Sequence, residues 1–266
     1  MTSTKMVSTR FKDKSALVTG AAQGIGKGIA EGLASEGAIV ILVDKSPLVE
    51  EVAQKINESG GIASAFIADL ESYYGAEEMV RFALGRYQKI DILINNIGGA
   101  IWMKPFDQFT EGEITREIYR SLFPTLWSCR AVIPEMVKQK NGTIVNISSV
   151  ATRGILRGPY SAAKGGVNAL TASLAFEYAD RGIRVNAIAT GGTEAPPRVI
   201  PRNENPLTAD EEGWMQEVVD QTIDSTYFKR YGVIEEQVRV ALFLASEESS
   251  YITATVIPVA GGDQGL

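Results

Sequence analysis

Short runs rich in apolar and β-branched residues alternate along the chain with longer stretches whose apolar residues recur at helical spacing. Residues 15–19 (SALVT), 38–43 (AIVILV), 62–68, 91–94, 143–147, 183–188 and 255–259 read as strands, and the run at 38–43 is continuously apolar, as a strand covered on both faces is. Helical patterning fills the intervals at 26–37, 48–59, 72–87, 110–139, 159–178 and 235–245, and Pro124 and Pro134 are expected to bend or interrupt the longest of these. The alternation predicts an α/β fold: a single domain over 1–266, built as a Rossmann-type doubly wound parallel sheet of about seven strands with helices on both faces. Residues 191–231 break the rhythm. They carry Pro196, Pro197, Pro201 and Pro206 before a helical stretch at 210–220, and are expected to form a substrate lid at the ligand edge of the sheet, with a rigid surface loop as the alternative.

Composition narrows the chemistry. A chain of 266 residues that is 45% hydrophobic can bury one large core. Its net charge of −6 and absence of a basic cluster argue against a nucleic-acid partner. There is no histidine, which excludes a Ser-His-Asp triad, a histidine base and the common histidine-containing zinc sites, so no metal is expected. Cys129 is the one cysteine; an intrachain disulfide is impossible, which fits a reducing compartment. Residues 1–14 are polar without the apolar run of a signal peptide, and no apolar segment approaches about eighteen residues. A soluble cytoplasmic protein with no membrane partner is the expectation.

Candidate chemistry gathers in two places. The first is a strand, glycine turn and helix at SALVT-GAAQGIG, the context a dinucleotide loop requires. Gly20, Gly24 and Gly26 permit a sharp turn and close backbone approach, and the new helix offers free N–H groups to a pyrophosphate. Asp44 ends the next strand, close to the roughly twenty positions further on where a carboxylate binds the adenosine ribose. A carboxylate there repels a 2′-phosphate, favouring NAD over NADP, although Lys45 tempers the preference. Asp69 ends the third strand, where it can accept from an adenine amino group or cap the following helix. NNIGG at 95–99 reads as a turn at the same edge, and Trp102, Met103 and Phe106 are possible walls for a flat apolar substrate.

The second place is GTIVNISSVATRGILRGPYSAAKGG from Gly142. Tyr160 and Lys164 stand four apart on one helix face, where an ammonium stabilises a phenolate and lowers a pKa that is otherwise about 10. Tyr160 then serves as a base while a serine hydroxyl at the strand end holds the substrate oxygen. Alone, such a pair is most simply a helix surface pair; the other motifs raise its weight.

Taken together, TGAAQGIG, NNIG, ISS, YSAAK and NAIATG, in this order over essentially the whole chain, resemble the short-chain dehydrogenase/reductase family. The resemblance implies Ser149, Tyr160 and Lys164 as catalytic residues. It further implies an NAD site lined by Gly20, Gln23, Gly24, Ile25, Gly26, Asp44, Asp69, Leu70, Asn95, Tyr160, Lys164 and Thr193, and a homotetramer. GGAIWMKPF, RSLFPTLWSCRAVIP, SSVATRG and GGTEAPPR resemble, more narrowly, a bacterial group within it that oxidises carboxylated aromatic cis-dihydrodiols to catechols. Its implied substrate is a 1,2-dihydroxycyclohexa-3,5-diene-1-carboxylate, oxidised with release of CO2. The alternatives are a 2,3-dihydrodiol such as that of p-cumate, with the carboxylate retained; a ketone or acyl-thioester reductase using NADPH; and a catalytically silent NAD-binding scaffold. Two positions depart from the wider family: Ser121 stands where an asparagine is usual, and Thr190 where proline is usual. A carboxylate substrate needs a cation, for which Arg153, Arg157, Arg198 and Arg202 are candidates beside Trp102 as a wall.

Overall fold

Each apolar run becomes a strand because alternate residues face different cores. In β1 (Ser15–Thr19), Ala16 and Val18 join one buried cluster and Leu17 the other; in β2 (Ile39–Asp44), Val40 and Leu42 oppose Ile41 and Val43. Helices α1 (Gly24–Ser35) and α2 (Leu48–Glu58) cover the first cluster through Ile29, Leu33, Val49 and Val52. On the opposite face, α3 (Tyr73–Tyr87) supplies Met79 and Ala83.

The computed structural model describes residues 9–203 and 205–265, so most of the polar arm expected at 1–14 lies outside the described residues. After β3 (Ile62–Ile67) and β4 (Ile92–Asn95), the long helical stretch divides into α4 (Glu111–Ser121) and α5 (Phe123–Gln139). Pro124 stands in the first turn of α5, where its missing N–H has no intrahelical partner to lose, so it starts a helix and leaves Leu122 as the break. Pro134 lies inside α5 without ending it. There follow β5 (Gly142–Ser149), α6 (Gly158–Tyr178), β6 (Ile183–Thr190), the short β7 (Thr193–Glu194), α7 (Ala209–Ser225), β8 (Gly232–Val233), α8 (Ile234–Ala245) and β9 (Val256–Val259).

The large sheet is parallel throughout, in the order β3-β2-β1-β4-β5-β6-β9. Strand order reverses between β1 and β4, which opens a crevice at their carboxyl ends. The segment 191–231 is more ordered than its prolines suggest: β7 and β8 pair, and α7, started by a Thr208–Glu211 capping box, lies over that edge of the sheet. Among the described residues, no helix is long and apolar enough to cross a membrane.

Candidate active site

One cavity of about 430 Å³ runs along the carboxyl edge, from Asp44 and Asp69 at one end to Ser149, Tyr160 and α7 at the other. Gly20 and Gly24 hold φ of +64° and +61°, conformations that favour glycine, and a β-carbon on Gly24 would meet open space. Gln23 precedes α1 without a side-chain cap, leaving the first-turn N–H groups directed at the cavity. Its amide is used elsewhere: Nε2 donates to the Ile200 carbonyl and Oε1 accepts from Val199 N–H, tying the 191–231 segment to the glycine loop. The Asp44 carboxylate accepts from Ala22 N–H at 3.1 Å and from Ser46 N–H at 3.1 Å, which fixes it beside the loop with lone pairs to spare. These groups suit a dinucleotide: free helix N–H groups for phosphate and a fixed carboxylate for a ribose diol.

At the other end, the buried stripe of α6 contains Tyr160, Ala163, Lys164, Val167 and Thr171, so the spacing that packs the helix also turns tyrosine and lysine inward. Ser149 ends β5, paired with Thr190 of β6; its Oγ donates to the Thr190 carbonyl at 3.2 Å, accepts from Ala151 N–H at 3.0 Å and is hydrogen-bonded to the Tyr160 hydroxyl. Thr190 extends β6 and donates its hydroxyl to the Ser148 carbonyl, a tie that a proline lacks. Lys164 Nζ donates to the Ile147 carbonyl at 2.6 Å and lies 5.9 Å from the centre of the Tyr160 ring.

The phenol and the ammonium are both buried. Burial pushes the Tyr160 phenol above its ordinary value, and the influences that favour its phenolate are Arg202, the Ser149 hydrogen bond and Arg157. Lys164 is itself pushed down to about 8, by burial and by the Arg202 charge. Arg120, Arg157, Arg198 and Arg202 all border the cavity. Beside them, Glu117 is fully buried on α4, its Oε1 accepting from Ile101 N–H at 2.6 Å and Trp102 N–H at 3.0 Å.

A family model for short chain dehydrogenases matches residues 14–205. The chain belongs to the short-chain dehydrogenase family. It is 63% identical over 256 residues to a 1,6-dihydroxycyclohexa-2,4-diene-1-carboxylate dehydrogenase of Acinetobacter baylyi, covering 96% of this chain and 98% of that protein. A protein of the same name from Pseudomonas putida is 55% identical over 258 residues, 96% of this chain and 94% of the other. Among solved structures, NAD+-bound xylitol dehydrogenase is similar, with a TM-score of 0.83 and 28% identity over 95% of this chain and all of that one. A nicotinamide dinucleotide is thus the cofactor class.

This short-chain dehydrogenase brings most of the expected site residues to one cavity: Gly20, Gln23, Gly24, Ile25, Asp44, Asp69, Leu70, Ser149, Arg157, Tyr160, Lys164, Thr193 and Arg198 line it. Four expected residues lie off this cavity wall. Asn95 is the last residue of β4, so its side chain points into the sheet, donating to Asn146 Oδ1 and Cys129 Sγ; Asn96, one position on, lines the cavity and donates to the Gly20 carbonyl. Gly26 lies behind the loop rather than on the cavity wall. Arg153 is exposed outside the cavity, and Trp102 is half-buried away from it while Met103 lines it. The helix after Asp69 is capped by Ser72, whose Oγ accepts from Gly75 N–H, so Asp69 is left at the cavity.

Glu117, Arg120 and Asn96 were not singled out from sequence. Glu117 precedes Ser121 by one helical turn, a spacing that marks a shared inward face. Replacing Glu117 with leucine is expected to reduce stability to urea by about 2–3 kcal/mol, because two N–H groups lose their acceptor, whereas glutamine keeps a carbonyl oxygen and costs less than about 1 kcal/mol. Burial raises the Glu117 carboxyl above 4.5. The native state therefore holds this proton at pH values where the unfolded chain has released it, and the group's contribution to stability falls as pH rises from 4.5 through the native value. Glu117→Gln removes that slope.

Proposed function

We propose that the protein oxidises 1,2-dihydroxycyclohexa-3,5-diene-1-carboxylate to catechol with NAD+ and release of CO2. This is the same diene acid as 1,6-dihydroxycyclohexa-2,4-diene-1-carboxylate, numbered in the other direction round the ring. The observation that carries the reading is a single cavity holding a serine–tyrosine hydroxyl pair, an inward lysine and four guanidinium groups, the equipment for oxidising an alcohol that bears a carboxylate.

The glycine loop and first turn of α1 hold the pyrophosphate, Asp44 the adenosine ribose and Lys164 the nicotinamide ribose. When bound, the nicotinamide ring supplies a hydride acceptor. Ser149 orients the C2 hydroxyl and Tyr160 takes its proton, so the hydrogen on C2 can depart as hydride. C1 carries no hydrogen, which leaves C2 as the carbon that is oxidised. The product is a β-keto acid. Its C1–carboxylate bond breaks to give CO2, the electron pair forms the C1–C2 enolate, and protonation on oxygen completes the aromatic catechol. No additional protein group is required for that loss.

The 191–231 segment acts as the lid: α7 contributes Met215, Val218 and Thr222 to the cavity, and Gln23 latches residues 199–200. The reading includes a cytoplasmic homotetramer. The carboxylate at position 44 would meet a 2′-phosphate as a like charge, so kcat/KM with NAD+ is expected to exceed that with NADP+ by roughly 100-fold. The test follows reduced cofactor and CO2 together with each dinucleotide. One CO2 per NADH is the expected result; NADH without CO2 from a 2,3-diol assigns the carboxylate-retaining reaction instead, and no NADH from either acid defeats the reading.

A further inference from the structure

Two consecutive glycines hold cations where side chains would stand. A β-carbon on Gly98 would lie 3.1 Å from Lys164 Nζ, and one on Gly99 would lie 2.5 Å from both Cζ and Nε of Arg202. The Arg202 guanidinium therefore rests against the bare α-carbon of Gly99, whose φ of +132° also favours glycine. The seat is built from beneath. Gly99 N–H donates to Ser121 Oγ at 3.3 Å, and Glu117, one turn earlier on α4, holds the N–H groups of Ile101 and Trp102. Serine at 121 thus supports the strand-to-helix loop that carries the guanidinium.

Arg202 Nε and Glu117 Oε2 are buried without hydrogen-bond partners among the described residues, as are Nε of Arg120 and Nε of Arg157. A buried donor left unmatched by the protein, at the wall of the cavity that holds Ser149 and Tyr160, is matched by a ligand acceptor. The other arginines are placed differently. Arg157 packs on Gly154 and donates to Gln221 of α7; Arg120 lies toward Glu71; Arg198 is repelled by Arg202 and Arg120. Of the four, Arg202 is the one whose charge bears on both Tyr160 and Lys164, and it rests on Gly99, next to the Gly98 that faces Lys164 Nζ. A cation at that place suits the substrate, whose carboxylate is on the ring carbon adjacent to the one oxidised.

Resting on the dihydrodiol reading, we propose that Arg202 takes the substrate carboxylate in a two-bond pair, and that Gly99 sets the preference for carboxylated over uncharged diols by leaving the guanidinium its seat. A side chain at position 99 pushes the guanidinium off this seat and misaligns it with the carboxylate.

The test uses the full chain with bound NADH, whose fluorescence reports folding and cofactor binding in each variant. Benzoate and catechol, rings with and without a carboxylate, are titrated into wild type, Arg202→Gln, Arg202→Lys and Gly99→Ala. Arg202→Gln is expected to weaken benzoate about 100-fold and leave catechol near its wild-type affinity. Lysine restores part of the loss, and Gly99→Ala weakens benzoate in the same sense but by less, with Arg202 still present. Parallel weakening of benzoate and catechol, or no weakening of either, overturns the assignment. Wild-type protein that binds benzoate through Arg202 but oxidises no carboxylated diol defeats the proposed reaction and leaves the carboxylate site standing.

Discussion

Tyr160→Phe is expected to reduce kcat for diol oxidation by about 1000-fold or more while dinucleotide binding stays near wild type. Phenylalanine keeps the ring that packs on the inward face of α6, where Tyr160 is 9% exposed, and removes only the oxygen bonded to Ser149. The fold has no reason to change. What disappears is the acceptor for the hydroxyl proton, without which hydride departure would leave a protonated carbonyl. The working form needs Tyr160 deprotonated, and burial holds its phenol above the ordinary value, so kcat/KM should rise with pH as that proton leaves. Arg202→Gln should move the rising limb to higher pH, because Arg202 is the foremost influence favouring the phenolate. A Tyr160→Phe enzyme retaining more than about a tenth of the wild-type rate would remove the phenol from the mechanism.

The second large effect is expected at Gly26. A β-carbon there would lie 2.2 Å from the Gly20 carbonyl oxygen and 2.4 Å from Asn96 Nδ2, the two atoms joined by a 2.9 Å hydrogen bond. That bond clamps the loop after β1 to the loop after β4 across the point where strand order reverses. The obstruction is backbone, so it cannot rotate aside. Gly26→Ala must push α1 from the sheet or break the clamp, at about 1–3 kcal/mol of stability. The first-turn N–H groups then no longer converge on the pyrophosphate, and NADH affinity should fall by about 100-fold. Fluorescence titration of NADH beside urea unfolding separates the two losses; a Gly26→Ala protein that binds NADH normally would show that loop and helix need no such contact.

Much of the molecule was legible in the chain. The apolar and β-branched runs located the strands of the large sheet because a strand covered on both faces carries few polar positions, and those it has, such as Asn146 and Asn186, are hydrogen-bonded inside. Helical spacing puts Tyr160 and Lys164 on one face, and the order strand, glycines, helix, acid marks out the dinucleotide edge. Other assignments turned on one residue or one direction. Asn95 and Asn96 are identical in type and adjacent, yet the end of β4 sends one beneath the sheet and the other to the cofactor edge. Spacing paired Lys164 with Tyr160, and the fold adds Arg202 and Arg157 as charges that favour the phenolate.

What the sequence by itself determined were the elements, their alternation and the chemistry each strand end could offer, since periodicity and turn-forming residues act between near neighbours. Only the tertiary structure decided which arginine lies on Gly99, that Glu117 is buried beneath it, and that Gly26 supports the loop without facing the ligand. Those outcomes depend on ångström distances between residues far apart in the chain, and no local pattern encodes them.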